Sequence, residues 1–457
     1  MMPSRPIAAR MCGSTAIIAV LIAVFALLLP TSKAEAMKIQ VVKSPGGITA
    51  WLVEEHSVPL IAMRFAFEGG SAQDPAGKEG VANFLAGMLD EGAGDLRSKE
   101  FQERMEEIAM RMSFDDARDA FYGSIETLSE NRDKAVALLA LALCKPRFDT
   151  DAVERVRGQL LANLAYAARD PDRVAGEQWA AMVFAGHPYG RPANGTPATV
   201  QGITRDDLSA FWSRTFARDN LRVVVVGDID AATLAGTLDT VFGQLPASAR
   251  LEPVAQTMPA SKEKQKVVEM AVPQSVARFG LPAFTRKDKD FIAVFVLNSI
   301  LGGGAMSSRL WEEVREKRGL AYSVYTNVQP YKHTSVFSGS VATKNEEIGQ
   351  SLDVIRAELK RIATEGPTEK ELADAKSYLT GSFALRFDSN AKIANQLLWF
   401  WQEDLGIDYV DRRNAEIEAL TLADVKRAAK RMFDGQELMI TIVGKPKGLA
   451  ANPLPRG

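Results

Sequence analysis

An arginine and a tyrosine seven positions apart, Arg315 and Tyr322, have side chains that could bind a peptide. They stand in the stretch LGGGAMSSRLWEEVREKRGLAYSVY, over residues 301–325. A guanidinium and a phenol that lie close together can both donate hydrogen bonds to a carbonyl oxygen of a bound peptide. From these two residues alone a purely structural interpretation stays open, in which Arg315 is solvated and Tyr322 lies in the core.

Short elements within this stretch must position the two side chains. Three glycines at 302–304 predict a loop, and an apolar stripe at helical spacing then predicts a short helix that carries Arg315. Gly319 stands where a left-handed residue would end that helix. The β-branched and aromatic residues at 320–328 predict a strand, with Tyr322 near its start.

The first 36 residues have the pattern of a secretory signal peptide. Positive charges precede an apolar run over residues 16–29, and Ala34-Glu35-Ala36 is a small-x-small cleavage site. Cleavage is expected before Met37, which predicts an exported protein, periplasmic or secreted. An uncleaved membrane anchor is the alternative, although the apolar run is short for a membrane span.

Composition excludes several classes of function. The chain has 457 residues, of which 46% are hydrophobic and 25% charged, as expected for a globular protein with a large core. Its net charge is −2, and removal of the signal peptide takes away a net charge of +2. This balance gives no electrostatic case for nucleic acid, and no membrane association is expected after signal removal. Only Cys144 remains in the mature chain, so no internal disulfide is expected.

A long internal repeat divides the mature chain into two related halves. Residues 203–228 match residues 420–445, each a helix pattern followed by a buried strand. Two α+β domains from one duplication are therefore predicted. The predicted boundaries are a signal peptide at 1–36, an N-terminal domain at 37–243, a Pro-, Ala- and Ser-rich linker at 244–266, and a C-terminal domain at 267–457.

Local patterns predict further elements. Helices are expected over residues 78–89 and 99–112, and a pair of strands over residues 114–128. The tetrapeptide HPYG at 187–190 is expected in a loop. The aromatic cluster at 399–401 lies on a predicted helix, and either core packing or a place in the wall of a cavity is consistent with it.

Four stretches together resemble the pitrilysin–insulinase family of zinc peptidases. They are GVANFLAGML, HPYGRPANGT, the strand VVVVGD and the glycine-rich stretch at 301–324. The resemblance implies a pair of similar α+β domains, each an antiparallel or mixed sheet backed by helices. Two such pairs form a clamshell around a cavity. This chain has one pair, so it is expected to be one half of a clamshell and to combine with a homologous subunit.

Active members of that family carry H-x-x-E-H on a helix, where two histidines hold zinc and the glutamate is the general base. At the corresponding positions this chain has Asn83, Ala86 and Gly87. A glutamate on a later helix completes the zinc site in the family, and it should fall here at Ala162 or Asn163. No catalytic residue and no metal ligand are therefore predicted in this chain.

The three histidines of the chain offer no substitute zinc site. They are His56, His187 and His333, each more than a hundred residues from the next. Zinc needs several nitrogen, sulfur or carboxylate ligands at about 2.0–2.3 Å. Zinc is therefore expected only in the partner, and His187 is predicted to be structural.

In the family, an arginine and a tyrosine from the domain facing the zinc bind substrate near the scissile bond. Arg315 and Tyr322 match those positions. The resemblance thus implies a non-catalytic, substrate-binding subunit of a heteromeric zinc peptidase, with an H-x-x-E-H subunit as partner and a peptide as substrate. The alternative is a peptide-binding or assembly scaffold of the same fold that has no part in chemistry.

Overall fold

The computed structural model describes residues 37–449. The signal peptide predicted at 1–36 lies outside the described residues, as do the last eight residues of the predicted C-terminal domain. Residues 39–449 belong to one compact unit. None of the described helices is both long enough and apolar enough to cross a membrane.

Strands and helices alternate irregularly along the chain. The strands are β1 (Gln40–Lys43), β2 (Thr49–Glu54), β3 (Leu60–Glu68), β4 (Gly92–Ala93), β5 (Leu96–Arg97), β6 (Arg111–Asp116), β7 (Ala120–Leu128), β8 (Leu221–Gly227), β9 (Gln265–Glu269), β10 (Gln274–Pro282), β11 (Ser323–Pro330), β12 (Ser335–Lys344) and β13 (Met439–Gly444). The α-helices are α1 (Val81–Ala86), α2 (Ser98–Glu107), α3 (Arg132–Cys144), α4 (Thr150–Ala167), α5 (Pro171–Val183), α6 (Pro197–Gly202), α7 (Arg205–Thr215), α8 (Ala231–Phe242), α9 (Phe291–Asn298), α10 (Ile348–Glu365), α11 (Glu369–Gly381), α12 (Asn390–Gln402), α13 (Tyr409–Glu418) and α14 (Leu422–Phe433).

The two large sheets have the same topology. The first has the order β1-β2-β8-β3-β7-β6 and the second the order β11-β12-β10-β13-β9. Each sheet contains one parallel pair of strands, which is β2 with β8 in the first sheet and β9 with β13 in the second. The next strand in each sheet, β3 or β10, is antiparallel to this pair. Apart from β1, every strand of the first sheet has an equivalent in the second. This confirms the predicted fold class, two homologous α+β halves with mixed sheets backed by helices.

Each sheet is covered on one face by a helix from the other half. Helix α12 packs on β3 and β8, and helix α5 packs on β10 and β13. Trp401 of α12 stacks on Trp51 of β2, with ring centroids 4.7 Å apart and planes 8° apart. Trp179 of α5 donates from Nε1 to the carbonyl oxygen of Met439, 2.8 Å away. The halves therefore share their packing as well as their ancestry.

The predicted linker is an ordered connection. Residues 244–264 form neither helix nor strand, and β9 begins at Gln265, inside the segment predicted as linker. Its backbone is fixed by hydrogen bonds to both halves. The N–H of Ala260 donates to Val183 and that of Thr257 donates to His333, each at 2.9 Å.

Two predicted helices are longer than the real ones. Helix α1 spans Val81–Ala86 and not 78–89, because Gly80 before it is left-handed, with φ 95°, and the chain turns after Ala86. The helix predicted over 99–112 ends at Glu107, because Ala109 is left-handed, with φ 51°. Strand β6 begins two residues later. The strand pair predicted at 114–128 is present as β6 and β7.

The HPYG segment joins the two halves. Tyr189 is fully buried, and its hydroxyl donates to Asp119, with oxygen separations of 2.6 and 2.7 Å. The same Asp119 carboxylate accepts from the backbone N–H of Lys332 in the turn between β11 and β12. Burial, followed by the charge of Asp119, raises the pKa of Tyr189. His187 accepts from the N–H of Tyr189 and lies 3.0 Å from the carbonyl oxygen of Ala255, contacts that agree with its predicted structural role.

We expect Tyr189→Phe to lower the free energy of unfolding by about 1.5–3 kcal/mol, the usual contribution of a hydrogen bond to a charged group. Equilibrium urea denaturation followed by circular dichroism measures this. Tyr166, which is 77% exposed, supplies the matched control: Tyr166→Phe should leave stability unchanged. Equal stability of the Tyr189→Phe variant and the native chain would show that this contact does not hold the halves together.

Candidate functional site

Arg315 and Tyr322 lie side by side. The guanidinium carbon of Arg315 is 4.7 Å from the centroid of the Tyr322 ring and 4.0 Å from that of Trp311. The cation thus contacts two aromatic rings, an arrangement that favours one position of the guanidinium. Tyr322 is 79% exposed, so the interpretation that places it in the core is wrong.

The donors of Arg315 are available to a ligand. Within residues 37–449 its guanidinium has no hydrogen-bond acceptor. The nearest carboxylate oxygen, from Glu316, is 3.9 Å from Nε and belongs to a side chain that is 61% exposed. An exposed ion pair at this distance contributes little energy. Arg315 therefore presents fixed but unused N–H groups next to an exposed phenol.

The helix that carries Arg315 is wound more loosely than predicted. Residues Trp311–Glu316 form a π-helical turn, a type that is common at functional sites. Gly319 has φ 60°, as predicted for the end of this helix, and its N–H donates to the carbonyl oxygen of Arg315. Tyr322 follows three residues later, directly before β11.

The three glycines do not form an open loop. Helix α9 continues as a π-helical segment over Ser299–Gly303, which corrects the loop predicted there. A Cβ atom on Gly302 would lie 2.5 Å from Oγ1 of Thr326 in β11, so glycine is needed for this close approach. The segment thereby packs directly on the strand that follows Tyr322.

The motif positions in α1 and directly after it do not fit a zinc ion. Asn83 donates from Nδ2 to Oδ1 of Asp116 at 3.0 Å, while Ala86 and Gly87 offer no donor atom to a metal. No group of three or more His, Cys, Asp or Glu side chains in the described part of the chain could hold a metal ion. Asn83 and Asn163 line one cavity of about 350 Å³, whereas Ala162 does not line it. Asn163 is therefore the better match to the family's third ligand.

Two carboxyl groups beside α1 have altered acidity. Burial raises the pKa of Asp116 to about 6 and that of Asp74 to about 8. Asp74 accepts from the backbone N–H groups of Gly80 and Ala82 and so caps the helix. Burial therefore favours the protonated, uncharged form of both carboxyl groups beside α1.

A pH dependence of stability follows for Asp116. Between its unfolded pKa near 4 and its folded pKa near 6, only the folded state keeps the proton, so stability falls as pH rises through this window. We expect Asp116→Asn to remove this loss, which amounts to at most about 3 kcal/mol. Urea denaturation at pH 4 to 7 measures it, with the exposed Asp95→Asn as control. Parallel profiles for Asp116→Asn and the native chain would contradict the prediction.

A cleft of about 530 Å³ lies between the halves. Its wall is strongly charged, with Arg222, Arg286 and Glu403 among its lining residues. Trp399, 38% exposed, also lines it, whereas Phe400 is buried and Trp401 stacks on the first sheet. The aromatic cluster thus serves both purposes that the sequence allows, one in the core and one at a cavity.

The comparisons with known proteins agree with this architecture. The family described as "Insulinase (Peptidase family M16)" matches residues 51–197, and that described as "Peptidase M16 inactive domain" matches residues 202–379. The non-peptidase homolog YmxG of Helicobacter pylori is 30% identical over 397 residues, covering 86% of this chain and 91% of that protein. The chain therefore belongs to the M16 insulinase family, as a member that lacks the zinc motif.

Other relatives differ in what their names state. An uncharacterised zinc protease of Streptomyces coelicolor is 25% identical over 422 residues, covering 90% of each chain. The crystal structure of a peptidase M16 inactive domain from Pseudomonas fluorescens has a TM-score of 0.84 and 29% identity, covering 92% of this chain and 100% of that chain. The fold is that of one half of the family's clamshell.

Two side chains that contact the candidate site residues were not predicted from the sequence. Trp311 appeared only as part of an apolar stripe, although its ring stacks on Arg315. Asp116 lies 33 residues from Asn83, and nothing in the local pattern links them. An arginine four residues after a tryptophan on a predicted helix is a signal that could have revealed the first contact.

Proposed function

We propose that this chain is the non-catalytic, substrate-binding subunit of an exported heteromeric zinc peptidase. One observation carries the proposal: the Arg315 guanidinium is fixed between two aromatic rings, with no acceptor among the described residues and an exposed tyrosine beside it. A guanidinium that two rings hold in place, and that uses none of its donors within the described residues, can donate hydrogen bonds to a ligand.

The partner would be a homologous subunit with H-x-x-E-H, and it would hold the zinc. Arg315 and Tyr322 would donate hydrogen bonds to a carbonyl oxygen of the peptide. Such donors both position the strand and stabilise negative charge that develops on oxygen during hydrolysis. Because the residues at 83, 86 and 87 do not fit zinc, we assign this chain no step of metal chemistry.

Purification of the chain from its source, with identification of what travels with it, tests the proposal. We expect a homologous chain that carries H-x-x-E-H, and we expect zinc and peptide hydrolysis in the complex only. One tightly bound zinc per chain in the isolated protein, lost on mutation of a histidine, would overturn it. Recovery of the chain without a peptidase would favour the assembly scaffold.

A further inference from the structure

A second cavity, separate from Arg315 and Tyr322, lies beside the cleft. It has a volume of about 370 Å³ and is walled by helices α9, α12 and α13 and by the end of β11. Arg286 and Trp399 line both this cavity and the cleft. We call it the arginine recess, after the guanidinium groups of Arg286, Arg386 and Arg413 in its wall.

The charge of the recess is not balanced by its own wall. No aspartate or glutamate stands among the described residues that line it. The carboxylate nearest to Arg286, from Glu403, is 4.0 Å from Nε and faces the cleft. Burial lowers the pKa of Arg413, and the positive charges of Arg386 and Arg286 lower it further. The recess therefore favours an anion.

Arg286 is the group poised to bind that anion. Its side chain is 16% exposed, and its Nε and Nη2 are buried without a hydrogen-bond acceptor among the described residues. Its guanidinium carbon lies 4.6 Å from the ring of Phe291, 5.0 Å from that of Trp399 and 5.8 Å from that of Tyr409. The rings hold the cation in place but satisfy none of its N–H groups, and buried unsatisfied donors are costly.

The rest of the recess fits an apolar body with one polar group. Phe295, Phe383 and Phe400 line it. The Oε1 atom of Gln396, in the same wall, is buried and accepts from no donor within the described residues. A complementary ligand thus carries a carboxylate for Arg286, an N–H for Gln396 and an apolar group for the rings. The C-terminal residue of a peptide has these three features together.

We propose that the arginine recess binds the C-terminal residue of a peptide that ends in an apolar side chain. The peptide carboxylate accepts from Arg286, its last backbone N–H donates to Gln396, and its last side chain packs among the phenylalanines. This binding needs neither a partner subunit nor Arg315. It can therefore be measured on the isolated chain, and its failure would leave the proposed peptidase complex untouched.

The test uses the purified chain and a fluorescein-labelled tetrapeptide that ends in leucine with a free carboxylate. Fluorescence anisotropy compares it with the same peptide ending in a carboxamide. Only the peptide with a free carboxylate can form a charged hydrogen bond with Arg286. We therefore expect it to bind about ten- to a hundredfold more tightly than the carboxamide peptide. Equal affinity of acid and carboxamide would overturn the proposal without any variant being needed.

Variants locate the effect. Arg286→Gln should reduce the difference between acid and carboxamide to less than about twofold, whereas Arg356→Gln, at an exposed arginine of α10, should preserve it. Gln396→Leu should weaken both peptides, because both carry the same last N–H. Retained discrimination in Arg286→Gln would overturn the assignment. So would displacement of the peptide by laurate at equal concentration, since a fatty acid has a carboxylate and an apolar body but no N–H.

Discussion

Replacing Arg315 by alanine is expected to lower kcat/KM of the reconstituted complex by about ten- to a hundredfold. A hydrogen bond from a charged donor contributes about 1.5–3 kcal/mol, and about 1.4 kcal/mol corresponds to a factor of ten. The stability of the isolated chain should fall by no more than about 1–2 kcal/mol. The Arg315 side chain makes no hydrogen bond within the described residues, one weak ion pair and two cation–π contacts at a partly exposed site.

The neighbouring side chains give graded controls for this experiment. Tyr322→Phe removes one hydroxyl and should cost about tenfold at most. Trp311→Ala should also lower kcat/KM, because it frees the guanidinium from one of its two rings. Arg356→Ala, at an exposed site on α10, should have no effect. Zinc content and complex mass should stay constant throughout, and full activity of the Arg315→Ala complex would favour the scaffold over the peptidase subunit.

The second large effect concerns an attempt to restore zinc binding. The substitutions Asn83→His, Ala86→Glu and Gly87→His together should give only weak zinc affinity, because two histidines leave the third ligand missing. Adding Asn163→Glu supplies the missing ligand and should increase the zinc affinity by on the order of a hundredfold. Four-ligand zinc sites bind with about 10–16 kcal/mol, so one ligand contributes roughly a quarter of that free energy. The reason is that Asn163 lines the same cavity as Asn83.

Ala162→Glu in the same triple background is the matched control, since Ala162 does not line that cavity. Zinc titration against a chromophoric chelator measures each affinity. A Cβ atom on Gly87 would lie 3.1 Å from Cγ1 of Val156, so the histidine there requires a small shift of that side chain. If Ala162→Glu matches Asn163→Glu in affinity, the third ligand position has been placed wrongly.

Much of the fold was accessible from the sequence, because duplication leaves the same pattern twice. The match between residues 203–228 and 420–445 corresponds to α7 with β8 and α14 with β13, which occupy equivalent places in the two sheets. Local periodicity also placed the strand pair β6 and β7, which was predicted over residues 114–128. It failed where a single left-handed residue, such as Ala109, ends a helix without a glycine to mark it.

The candidate site was predictable only in its residue types. Spacing placed Arg315 on a helix and Tyr322 before a strand, but not the ring of Trp311 on the guanidinium. The pairing of Asn83 with Asp116 and the unsatisfied donors of Arg286 depend on contacts between distant elements. Amphipathic patterns show that α5 and α12 have a buried face, but they do not say which sheet covers it.

Helices α5 and α12 each cover the sheet of the other half, and this arrangement affects how the chain can fold during synthesis. The first sheet is complete in sequence at Gly227, but the helix that covers it ends at Gln402. At a synthesis rate of about 5–20 residues per second, the ribosome needs roughly 9 to 35 seconds to synthesise the residues from Gly227 to the end of this helix. During that interval the sheet face that α12 covers, which includes Trp51 and Arg64, has no partner. We therefore expect the first half to be unstable when it is expressed alone.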